Sequence, residues 1–147
     1  PFDSLIKDFE TGYNEMIKII GDSVSKIKED WGDFSVFTEP LEKKHNACNH
    51  QPEKVLLGYK LAGNYLIHFD STKKAAYKEK AGPLFYSFLS YGDGKLASEY
   101  MKLDLKKVQY IQKEWNNFSE NEKETLLFYG LLRGFNHGLP DFLQNIP

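Results

Sequence analysis

Two imidazoles and the only cysteine of the chain fall within six residues, in the stretch His45-Asn46-Ala47-Cys48-Asn49-His50. Imidazole nitrogen and thiolate are good donors to zinc or copper. His45, Cys48 and His50 are therefore the candidate metal ligands. Glu42 stands three residues before His45 and makes one Glu-x-x-His. A di-iron bundle needs two such motifs and two further inward glutamates, and the sequence holds no second one. No fourth ligand stands at the spacing of a structural zinc site. The competing reading is a polar surface loop with a free thiol. Cys48 as a nucleophile would take its base from His45 or His50, yet nothing around it resembles a thiol-hydrolase signature, and a lone cysteine is ordinarily inert.

The remaining chemical signals have simpler explanations. His68 and His137 fall near expected helix C-termini, where the dipole favours a positive charge. Arg133, the one arginine, is best read as the partner of a carboxylate such as Asp141. Glu120, Glu122 and Glu124 sit at a helix start, where acids are ordinary. Gly92-Asp93-Gly94 lacks the Lys and Ser/Thr of a phosphate loop. Lys73, Lys74, Lys78 and Lys80, interleaved with Tyr77, offer contacts to phosphate, but a sequence pI near 6.1 and a single arginine argue against a nucleic-acid partner. No cofactor is expected.

The elements that must position these residues read as helices. Leu5, Ile6, Phe9, Tyr13, Met16, Ile17, Ile20, Val24, Ile27 and Trp31 recur at spacings of three and four, one stripe of a helix over 4–31. Asp3 or Ser4 would cap its start and Gly32 its end, and Gly21-Asp22-Ser23 marks a bend or break within it. Residues 32–52 carry the least regular pattern. Phe34, Val36 and Phe37 make a short apolar patch, Pro40 opens a turn through Leu41 and Lys44, and the rest reads as a loop. From Val55 to Phe69 the chain is apolar nearly all round, which predicts a central buried helix. The β character of Tyr65–Phe69 is outweighed by Lys54, Lys60 and Gly63.

A short basic helix over 73–80 follows, capped by Ser71 or Thr72. Gly82-Pro83 resets the chain before an apolar helix over 84–91. Gly92-Asp93-Gly94 ends that helix, and another short one spans 95–102. Asp104 caps a helix from Leu105 to about Asn116. Ser119-Glu120-Asn121-Glu122 has the form of a capping box, opening a helix that runs to His137 before Gly138. Pro140 begins a terminal turn burying Phe142, Leu143 and Ile146. The expected fold is all-α, an irregular single-domain bundle of about six to seven helices over 1–147.

A chain of 147 residues is long enough to bury a full core without disulfide or metal staples. One cysteine excludes an internal disulfide and fits a reducing, cytoplasmic setting. No apolar run reaches the length of a membrane span, so no membrane association is expected. Pro1 in place of an initiator Met is expected of a processed N-terminus. Charge is unevenly spread. Residues 1–42 carry ten acids and four lysines, a balance of −6, whereas residues 43–107 carry twelve lysines and six acids, a balance of +6. The two segments either neutralise each other or present an acidic face to a basic partner.

The absence of a catalytic signature and the acidic first segment together predict a non-enzymatic helical binding protein. The expected partner is a protein, of the kind an inhibitor or bacterial immunity protein meets in a basic toxin or nuclease. The expected contacts are Asp22, Glu29, Asp30, Asp33, Glu39 and Glu42, with Phe34 and Phe37 as aromatic anchors. Two alternatives stand beside it. One is a metal-dependent enzyme or metal-binding protein at His45, Cys48 and His50. The other is a helical pocket for an apolar ligand, lined by Tyr59, Tyr65, Phe85 and Phe88.

Overall fold

Apolar residues at three- and four-residue spacing set the first helix, α1 (Phe2–Ile20), which buries Leu5 and Phe9. The structure is a computed structural model that describes residues 2–20 and 35–131. The second half of the long predicted helix, residues 21–31, lies outside the described residues. So do the last turns of the predicted C-terminal helix and the segment that follows it.

Four helices then follow in order: α2 (Ser35–Ala47), α3 (Glu53–Thr72), α4 (Ala75–Ser90) and α5 (Lys95–Met101). The chain continues through α6 (Leu105–Glu114) and a 3-10 turn at Trp115–Asn117 into a last helix, α7, over residues 120–131. Among the described residues there is no strand, so the all-α bundle expected from the sequence is the observed fold.

Three boundaries differ from the expected ones, the first being that Ser71 and Thr72, expected to cap a separate helix over 73–80, lie in the last turn of α3. Residues 35–47 are helical, where the pattern predicts an irregular stretch with one turn at Pro40. Proline within a helix costs a hydrogen bond, but α2 packs along α3 and buries Thr38. That tertiary contact overrides weak local propensity. The predicted break at Gly82-Pro83 is also absent. α4 runs through Pro83 and buries Ala81, Phe85, Phe88 and Leu89 on one side. Burial of that apolar face holds the helix together across the proline.

Other boundaries follow local chemistry closely. α3 ends where Lys73 takes a left-handed conformation and its N–H donates to the Phe69 carbonyl at 2.7 Å. The expected stop after α4 is built by Gly92, Asp93 and Gly94, all at positive φ. A Cβ on Gly94 would lie 2.7 Å from Val108 Cγ1, so only glycine fits there. Asp104 caps α6, its carboxylate accepting from the Lys107 N–H at 2.8 Å. The capping box is reciprocal. Glu122 N–H donates to Ser119 Oγ at 3.1 Å, and Ser119 N–H donates to Glu122 Oε1 at 2.9 Å.

The core joins all of these elements. Phe9, Leu66, Phe85, Phe88, Leu89, Met101, Ile111, Leu126 and Leu131 are fully enclosed. α3 and α4 pack along one another, with the Tyr59 and Phe88 rings stacked at 4.0 Å. Gly130 of α7 comes so close to Phe85 that a Cβ would sit 3.1 Å from its ring. This packing brings α7 close against α4.

Candidate functional site

The structure does not gather the predicted metal ligands. His45, near the end of α2, faces α3 and would lie 3.3 Å from a Cβ on Gly58. Its pKa is lowered by burial first and by the Lys54 charge second, partly offset by a hydrogen bond with Asn46. Cys48 Sγ instead contacts the His50 carbonyl at 3.5 Å. His50 turns toward Glu53, at 3.9 Å. Among the described residues no three His, Cys, Asp or Glu side chains come together as a metal site.

The predicted acidic face is only partly within view. Asp22, Glu29, Asp30, Asp33 and Phe34 lie outside the described residues, as does the side chain of Phe37. Glu39 is exposed and pairs with Lys43 at 3.2 Å. Glu42 turns inward and hydrogen-bonds Tyr65, whose phenol is pushed far up by burial and by that carboxylate. Arg133, His137 and Asp141 also fall outside the described residues. The rings proposed for an apolar-ligand pocket, Tyr59, Tyr65, Phe85 and Phe88, are buried members of the core.

Two features emerge that the sequence pattern did not single out. The first is a buried polar cluster between α2 and α3. Among the described residues, the buried polar side chains are Thr38, Asn64 and His68, and they touch one another. Thr38 Oγ1 donates to Asn64 Oδ1 at 2.7 Å and lies 2.7 Å from His68 Nε2. A threonine hydroxyl has one proton. That one hydroxyl therefore bridges the Asn64 amide and the His68 imidazole. The His68 ring stacks on Tyr77 of α4 at 4.6 Å. His68, expected to serve the helix dipole, instead joins three helices.

The second is an open groove of 460 Å³ between α4 and α7. α4 contributes Glu79, Pro83 and Tyr86, α7 contributes Glu120 and Lys123, and Trp115 comes from the turn between α6 and α7. Tyr86 is the one large apolar side chain exposed among the described residues, at 38%. Its ring lies 5.9 Å from that of Trp115. Trp115 is held from behind by Phe85 at 6.1 Å. Pro83 has no N–H, so the helix offers the Glu79 carbonyl no donor four residues on.

The charges around this groove are arranged in depth. Lys78 pairs with Glu124 at 3.0 Å and leans over the Phe69 ring at 5.5 Å. Lys123 pairs with Glu120 at 3.7 Å and sits over the Trp115 ring at 5.7 Å. Their side chains are 22% and 23% exposed, against 37% for Glu124 and 84% for Glu120. Glu79 is exposed as well. The ammonium groups lie low, whereas Glu79 and Glu120 face the solvent and Glu124 is half-buried. Tyr86 sits one residue off the Leu84, Phe85, Phe88 and Leu89 stripe, and that displacement is the sequence signal for an outward-facing ring.

No family model matches the chain, nor does any curated protein or solved structure. Among the described residues no helix is long and apolar enough to cross a membrane.

Proposed function

We propose that this chain is a non-enzymatic protein-binding module whose docking face is the groove between α4 and α7. The observation that carries this is Tyr86, an exposed ring beside Trp115 at the groove between two packed helices. Tyr and Trp are the residues that dominate binding energy at protein interfaces, and a cleft between helices is a usual place for a partner segment to lodge. The mixed acidic and apolar lining suits a polypeptide better than a wholly apolar small molecule.

A narrower form of the reading is an inhibitor of the immunity type, neutralising a basic toxin such as a nuclease in the bacterial cytoplasm. Its support is the balance of −6 over residues 1–42 together with the lone Cys48 of a reducing setting. The test uses the full tagged chain isolated from cells that make it natively, alongside a Tyr86→Glu variant with unchanged unfolding midpoint. A partner held by the first and lost from the second supports docking at the groove. The same proteins recovered with both would overturn it.

A further inference from the structure

We infer that the groove is a receptor for a cationic side chain, an arginine or lysine carried by a basic segment of the partner protein; this rests on the docking reading above. The groove already holds such a guest. Lys123 Nζ sits 5.7 Å from the centre of the Trp115 ring and 3.7 Å from Glu120. An aromatic face and a carboxylate together make a favourable seat for a cation that keeps its aliphatic stem on the rings.

The seat is larger than its internal occupant. Tyr86 stands beside Trp115 with more than a third of its surface open, and Lys123 lies over Trp115 rather than over Tyr86. Glu79 lines the same groove and has no ion-pair partner among the described residues. Its carbonyl also lacks a helical donor because of Pro83. Three carboxylates, Glu79, Glu120 and Glu124, thus line the groove against two ammonium groups, Lys78 and Lys123. The carboxylates at the rim are more exposed than the ammonium groups, so an approaching partner meets negative charge first. A guanidinium suits this arrangement well, since its plane can stack on Tyr86 while its edge meets Glu79 or Glu120.

The probe is a capped peptide, acetyl-Gly-Arg-Leu-Arg-Gly-amide, followed by NMR through the Trp115 indole N–H. The control peptide has Glu in place of both Arg. The arginine peptide is expected to shift the Trp115 signal saturably and the glutamate peptide to leave it unmoved. Glu79→Gln with Glu120→Gln should weaken the arginine peptide by roughly three- to tenfold, the scale of two exposed charge pairs. Lys123→Met keeps the stem, removes the internal cation, and should tighten the arginine peptide by about threefold. Weakened binding in Lys123→Met, equal binding of both peptides, or no binding at Trp115 would each overturn the inference. Failure here is separable from failure of docking itself. A partner segment captured at Tyr86 that is acidic or uncharged leaves the docking face standing and removes the cation receptor.

Discussion

The Tyr86 ring lies 5.9 Å from the Trp115 ring, tilted by 35°, and the two differ sharply in their surroundings. Trp115 is backed by Phe85 and covered by Lys123, whereas Tyr86 faces outward. One ring is anchored in the core and the other is offered to the solvent beside it.

That difference predicts unequal stability effects on one helix. Tyr86→Ala, which removes a partly exposed ring and its contact with Trp115, should cost only about 1 kcal/mol. Phe88→Ala, which removes a fully enclosed ring stacked on Tyr59, should cost about 3–5 kcal/mol. Urea unfolding of both variants checks this. A large loss in Tyr86→Ala would mean that the ring is structural.

The turn after α4 supplies a second contrast. Gly92 and Gly94 both have positive φ, but a Cβ meets nothing at 92 and meets Val108 at 2.7 Å at 94. Gly92→Ala carries only the backbone penalty of about 1–2 kcal/mol. Gly94→Ala adds overpacking, for a total on the order of 2–4 kcal/mol. Thermal melts should rank the two variants in that order, and equal losses would contradict the close approach of α6 to the turn.

The buried cluster between α2 and α3 should behave as a unit. Thr38→Val removes the hydroxyl that bonds Asn64 and His68 and leaves buried polar atoms behind, at a cost of about 1–3 kcal/mol. Asn64→Leu should cost a similar amount. Together they should cost less than the sum of the two, because the second substitution removes a group the first has already orphaned. Strict additivity in a double-mutant cycle would show that the three side chains are not coupled.

His45 sets a pH dependence of defined sign. Its folded pKa lies below the ordinary value of 6.5, so below that pH the unfolded chain takes up the proton more readily. Its contribution is present above about 6.5 and is lost as pH falls toward the folded pKa. The native protein should therefore lose more stability between about pH 7 and pH 5 than His45→Gln does. Identical slopes for the two proteins would place His45 in open solvent.

Much of the scaffold was legible because its signals are local. The Ser119–Glu122 box, the Asp104 cap and the Gly92–Gly94 stop each depend on residues within a few positions of one another, and each forms as its spacing predicts. α3 was legible because it is apolar all round, as a central helix must be. α2 and the unbroken α4 were not, because Pro40 and Gly82-Pro83 are strong local punctuation and the contacts that overrule them come from other helices. The groove was hidden for a related reason. Glu79 and Tyr86 meet Trp115, Glu120 and Lys123 only after α4 and α7 have packed through Phe85 and Gly130. The His/Cys stretch is the opposite case. Its three ligands are close in sequence, but the helix carrying His45 ends at Ala47 and sends the side chains apart.

The central claim is that a partner docks on the groove at Tyr86. The most direct measurement places a photo-crosslinking phenylalanine at position 86, and separately at exposed Glu99, in the full chain within its native cells. Mass spectrometry then identifies the crosslinked peptide. A discrete protein adduct at position 86, absent at 99, is the predicted result. No adduct at 86, or the same adducts at both positions, would contradict the account.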